Sequence, residues 1–173
     1  MTAAGTTNSA YTVSHVFGEI AWLLSQSEQH RDLLVSDLVS LVMPPILNRQ
    51  FHIFRKGERP VGAALWAHLS EEVEARLERS LSEPKLELAA DDWKSGGRLW
   101  LIALIAPFTD RQNREAELML ADLIVGPFTG TAFRMIHRDA ASGKRTALHV
   151  GEDAGGEIIR KVKEGVQPGG SGQ

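Results

Sequence analysis

Cysteine is absent from all 173 residues, which excludes disulfides, a thiolate nucleophile and thiolate metal sites. Neither sign of charge is in marked excess. The 19 Lys and Arg set against 22 Asp and Glu leave a formal charge of −3, with no general pull toward nucleic acid or an anionic membrane. Long apolar runs are also missing. The longest, Leu99 to Phe108, falls well short of the ~20 residues that span a bilayer. Met1 to Ala10 is small and polar, without the basic start and apolar stretch of a signal peptide. These absences predict a soluble, cytoplasmic protein.

Several chemical signatures are lacking as well. The six histidines include no His-x-x-x-His pair with a third ligand, so no metal site is expected. Ser95-Gly96-Gly97 lacks the Gly-x-x-x-x-Gly-Lys-Ser/Thr pattern of a phosphate loop and reads as a turn into a strand. Trp66, Trp93 and Trp100 have no basic patch beside them, which favours packing over base stacking.

What is present is the make-up of one globular domain: 43% hydrophobic and 24% charged residues, in a chain long enough for its own core. Residues 1–10 and the Gly/Pro/Ser-rich tail 166–173 read as disordered, leaving 11–165 as the domain. Val13, Val16, Phe17, Ile20, Leu23 and Leu24 recur at helical spacing. A second helix is predicted from Asp32 to Met43, stopped or kinked by Pro44-Pro45. Phe51 to Arg55 alternates as a strand, Lys56 to Pro60 turns, and Val61 to Ala67 is its hairpin partner. Ser70 caps a helix with Val73, Leu77 and Leu81 on one face, ended by Pro84. Arg98 to Ala106, apolar on both faces, is a central strand. Thr109 or Asp110 caps a helix whose stripe is Ala116, Met119, Leu120, Leu123 and Ile124, stopped by Gly126-Pro127. Strands follow at Thr131 to Arg138 and Arg145 to Val150. The sum is a single-domain α/β fold with a mixed central sheet flanked by helices.

Four stretches stand out: Ser27-Glu-Gln-His30-Arg31 at the end of the first helix, Trp66-Ala-His68-Leu-Ser70, Asp92-Trp-Lys-Ser-Gly96 and Ile105-Ala-Pro-Phe108. Ser27 stands three before His30, and Pro44 fourteen after it; Gln50, Pro60, Trp66, Trp93, Gly96 and Trp100 follow in order. From about Gly18 to Gly151 this series resembles the RTX toxin-activating lysine acyltransferases, which move a fatty acyl group from acyl carrier protein onto lysines of a protoxin. No single motif in it is specific; the order and spacing carry the resemblance. It implies a GNAT-like fold, a homodimer, the phosphopantetheine thioester of acyl carrier protein as donor with no permanently bound cofactor, and an RTX-type protein as acceptor. Use of acyl coenzyme A is disfavoured, because no Arg/Gln-x-x-Gly-x-Gly/Ala pattern opens a helix.

The resemblance also implies a site. A lysine amine (pKa ~10.4) is almost fully protonated at neutral pH, and acylation needs it neutral. A histidine is suited to take the proton. His30 would be that base, with Ser27, one helical turn earlier, orienting the imidazole or touching the carbonyl region. Arg134, with Arg138, Lys144 and Arg145, would offer a basic contact to an acidic donor. One departure is plain: Ala103 occupies the position where the family usually has an aspartate that works with the histidine. A carboxylate there would set the tautomer and stabilise the imidazolium; Glu28, Asp32, Asp91 and Asp92 are the candidate substitutes. Two functions therefore follow: a working lysine acyltransferase, or a weakened or inactive homologue that binds acyl carrier protein or an RTX-like partner.

Overall fold

The computed structural model describes residues 12–157 and residue 160; the terminal segments expected to be disordered lie outside them. Helix α1 (Val13–Gln26) starts under Thr12, whose hydroxyl accepts the His15 N–H. It buries Val16, Ile20, Leu23 and Leu24, the apolar stripe expected from its spacing. Helix α2 (Val35–Leu47) corrects the sequence expectation, because it runs on through Pro44 and Pro45. Each proline leaves a carbonyl one turn earlier without its helical donor. Both rings are buried, however, and burial of apolar surface offsets that loss.

Strands β1 (Phe51–Lys56) and β2 (Arg59–Leu69) form a hairpin closed by Gly57 and Glu58. Helix α3 (Glu71–Ser80) is capped by the Ser70 hydroxyl, which accepts the Val73 N–H; it ends at Ser80, four residues before Pro84. Next come β3 (Arg98–Ile105), α4 (Glu115–Val125), β4 (Phe133–Arg138) and β5 (Arg145–Val150). The start of α4 differs from expectation. Asp110 accepts the Gln112 and Asn113 N–H groups in the preceding turn, while the Thr109 hydroxyl reaches forward to the Ala116 N–H.

The five strands make one mixed sheet in the order β1-β2-β3-β4-β5, antiparallel except for β3 and β4. One face is covered by α1, α2 and α3, whose apolar residues cluster with Ala63, Leu65, Ala67, Leu69, Trp100, Ile102, Ala103 and Ile105. The other face packs Met119, Leu123 and Ile124 of α4 on Ala64, Leu99 and Leu101. The fold is a single-domain mixed α/β sandwich of sheet and helices, as the element order implied.

Two irregularities of β3 matter for the site. Leu65 pairs with Ala103 and Trp66 with Leu101, so Ile102 is an extra residue at a β-bulge. The bulge places both Ile102 and Ala103 on the α1 side of the sheet, where strict alternation would send neighbours to opposite faces. The pairing of β3 with β4 is also short, with Trp100 opposite Arg134 and Leu101 opposite Met135. Beyond that point each strand continues with only its antiparallel neighbour.

Candidate active site

The turn between α1 and α2 carries the histidine and is clamped from several sides. Ser27 closes α1 with its N–H on the Leu24 carbonyl (3.1 Å), and its own carbonyl accepts the His30 and Arg31 N–H groups at 3.0 and 2.9 Å. The Leu33 N–H returns to the His30 carbonyl, and Leu33 packs on the core beneath α1. The Leu34 N–H meets the Asp37 carboxylate, which also pairs with Lys85 at 3.0 Å. The turn is thus a fixed platform.

On that platform Ser27 Oγ and His30 Nδ1 are 2.8 Å apart. Ser27 is buried and the imidazole half-buried. The structure brings together the two residues that the sequence proposed. The pairing has a chemical consequence. When Nδ1 carries the proton and donates it to the hydroxyl oxygen, Nε2 keeps a lone pair and can accept a proton from a substrate.

His30 is biased toward its neutral form. Burial lowers its pKa below the ordinary histidine value, and the positive charge of Arg138 lowers it further. Arg138 ends β4 and donates from Nη1 to the Gln29 carbonyl at 3.3 Å, next to the histidine across 109 positions of sequence. No carboxylate among the described residues bonds to the His30 ring. Glu28, Asp32 and Asp91 are exposed. Asp92 is engaged elsewhere, with Arg76 Nη2 at 2.5 Å and the Ala89 N–H at 2.8 Å. Ala103 lies among apolar residues on the same face as this turn.

Arg134 is placed away from His30, above α3. It pairs with Glu74 at 3.2 Å and with Glu78, and its guanidinium stands 5.9 Å from the Trp100 ring centre. Glu74 is buried and also receives Trp100 Nε1 (2.7 Å) and Arg98 Nη1 (3.1 Å). This carboxylate thereby locks α3 to β3 and β4. Arg145 donates to the Leu81 and Glu83 carbonyls. Arg138 is the one basic residue that sequence reasoning set in a general patch and that the fold brings to His30. No local signal could have revealed it, since only the tertiary fold brings the end of β4 to the turn after α1.

The remaining expectations fall into place as structure. Trp93 and Trp100 are buried, and Trp66 packs edge-on against Phe128. Gln50 Nε2 bridges the Trp93 carbonyl (3.0 Å) and His68 Nδ1 (3.2 Å), so His68 supports the loop before β3. His15 pairs with Glu19 on the surface of α1. Among the described residues no helix is long and apolar enough to cross a membrane.

Comparison with known proteins gives one consistent answer. Residues 9–151 match the model of the RTX toxin acyltransferase family. The RTX-II toxin-activating lysine-acyltransferase of Actinobacillus pleuropneumoniae is 40% identical over 153 residues, covering 87% of this chain and 86% of that protein. A protein-lysine myristoyltransferase of Kingella kingae is 34% identical over 125 residues, 72% and 69% of the two chains. One of Escherichia coli is 37% identical over 95 residues, covering 55% and 54%.

Proposed function

Since this chain belongs to the RTX toxin acyltransferase family, we propose that it is a protein-lysine fatty acyltransferase with His30 as general base, taking its acyl group from acyl carrier protein. The observation that carries this reading is the Ser27–His30 pair, 2.8 Å apart on a clamped turn, in a chain similar to named lysine acyltransferases over most of its length. The acceptor is an RTX-type protein, the class that the relatives' names give as their target.

The step balances as an aminolysis. The neutral Nζ of an acceptor lysine attacks the thioester carbonyl carbon, and the carbonyl π pair moves to oxygen. His30 Nε2 takes a proton from the nitrogen, and the imidazolium directs its Nδ1–H to Ser27 Oγ. As the tetrahedral intermediate collapses the C–S bond breaks, and the thiolate takes the proton back from His30. Amide and thiol are the products. The parallel strands β3 and β4 pair over two residues and then continue only with their antiparallel neighbours, which supports a GNAT-like arrangement. Of the predicted donor contacts, Arg134 has its charge met by Glu74 and Glu78; we assign it to the margin of the docking surface. The exposed stripe Val35, Val39 and Leu47 on α2 supports a homodimer.

The test is intact mass of an RTX acceptor from the same genome, co-expressed with this protein or its His30→Ala variant. An added fatty-acyl mass that disappears in the variant is expected. Acylation that persists in His30→Ala sinks the assignment of the base.

A second reading rests on Ala103 and on the lack, among the described residues, of a carboxylate bonded to His30. In it the protein binds an acylated carrier or an RTX-like partner without turnover. Multiple turnover by the purified protein would rule it out.

A further inference from the structure

We propose that Arg138 is a catalytic residue of the transfer, its guanidinium donating to the oxyanion that forms on the thioester carbonyl while His30 holds the lysine proton. The inference rests on the acyl-transfer reading above, and it names a residue for which sequence gave only a diffuse basic patch.

The geometry is specific to this arginine. Arg138 Nη1 bonds to the carbonyl of Gln29, the residue before His30, so the guanidinium lies against the histidine turn. An arginine has five N–H donors, and Arg138 has this one backbone acceptor and no carboxylate partner among the described residues. Several donors therefore remain for a ligand at the base. The neighbouring cations are committed: Arg134 to Glu74 and Glu78, Arg145 to the Leu81 and Glu83 carbonyls. The guanidinium also lies beside the β4–β5 turn, where a Cβ on Gly143 (φ +70°) would stand in ordinary contact, 3.6 Å from Arg138 Nη2.

Charge balance gives this placement its meaning. The usual companion of a catalytic histidine is a carboxylate that stabilises the imidazolium, and here Ala103 occupies that position of the family pattern. A lone cation beside an imidazolium would oppose proton transfer. In the tetrahedral intermediate, however, the charges are imidazolium, oxyanion and guanidinium, and the anion attracts both cations. Arg138 thus favours the intermediate over the ground state, the property that lowers a barrier. The site exchanges a carboxylate behind the base for a cation at the oxyanion.

Two experiments decide it. In the first, steady-state transfer is measured for wild type, Arg138→Gln, Arg138→Lys and the exposed control Arg79→Gln on α3. We expect kcat to fall about 100- to 1,000-fold in Arg138→Gln, the range for loss of one oxyanion donor, with the donor KM nearly unchanged. Partial recovery is expected in Arg138→Lys and no change in Arg79→Gln. A raised donor KM at unchanged kcat would make Arg138 a docking residue and overturn the proposal, as would equal activity.

The second needs no donor. Inorganic phosphate, a tetrahedral oxyanion, is titrated against the His30 ring resonances. A saturable shift in wild type that is lost in Arg138→Gln is expected. No shift, or one that survives the substitution, overturns the oxyanion site. A protein that binds phosphate in this way but transfers no acyl group would instead defeat the acyl-transfer reading alone.

Discussion

At the scale of single residues, His30 is tuned by its surroundings more than by a dedicated partner. Its pKa is lowered first by burial and then by Arg138. A base works in its unprotonated form, so the acid limb of kcat/KM should lie below the ~6.5 of a free histidine. In Arg138→Gln the cation is gone but the burial remains. The limb should move part of the way back toward that value, as a pH profile on the two proteins would show; an unmoved limb would separate Arg138 from the base. Ser27 contributes differently. Its hydroxyl fixes the ring through Nδ1 but carries no charge, so it stabilises the imidazolium less than a carboxylate would. Ser27→Ala should lower kcat about five- to ten-fold, the kinetic equivalent of one net hydrogen bond. A loss as large as that of His30→Ala would mean that the serine itself reacts.

At the scale of elements, the loop into β3 makes a close approach of backbone to backbone. Gly96 donates its N–H to the His68 carbonyl, and a Cβ on it would lie 2.5 Å from the Leu69 carbonyl and 2.6 Å from the Ser70 backbone. These atoms belong to the end of β2 and the cap of α3 and cannot swing aside as a side chain would. Gly96→Ala should therefore destabilise the fold by ~2–4 kcal/mol, visible as a lowered denaturation midpoint, whereas Gly97→Ala, with open space around it, should be nearly neutral. A wild-type midpoint for Gly96→Ala would refute the close approach. Elements with a clean period were readable from sequence: the α1 stripe, the β1–β2 hairpin, the apolar β3 and the Ser70 cap. Pro44-Pro45 was misread because local propensity predicts a break, while the burial of both rings is a tertiary term. The bulge at Ile102 and Ala103 was invisible for a related reason. A strand apolar on both faces has no alternation to interrupt, so the change of face at position 103 leaves no trace in the pattern. The Ser27–His30 pair, three residues apart, was legible; Arg138 was not.

At the scale of the whole molecule, the helical layer is tied to the sheet by polar pins as well as by the apolar core. Glu19 of α1 accepts Arg55 of β1 through both carboxylate oxygens, at 2.8 and 2.5 Å, with His15 beside it. Glu74 does the same for α3, β3 and β4. The hydrogen bond from Arg55 is the main reason that the Glu19 pKa lies below its ordinary value of 4.5; burial works against it, and the charges of Arg55 and His15 assist. The sign for stability follows by linkage. A carboxyl with a depressed folded-state pKa holds its proton less tightly in the folded chain than in the unfolded one. Its contribution is therefore complete above the unfolded value and is lost as pH falls through the folded value. Glu19→Gln removes that dependence, so the difference in unfolding free energy between wild type and variant should be steady near neutral pH and shrink below about pH 4.5. Denaturant midpoints measured across that range test this. A difference that stays constant into acid would show that Glu19 acts through packing alone. A difference that closes on acidification would make this carboxylate an electrostatic tie between α1, which carries the Ser27–His30 turn at its far end, and the edge of the sheet.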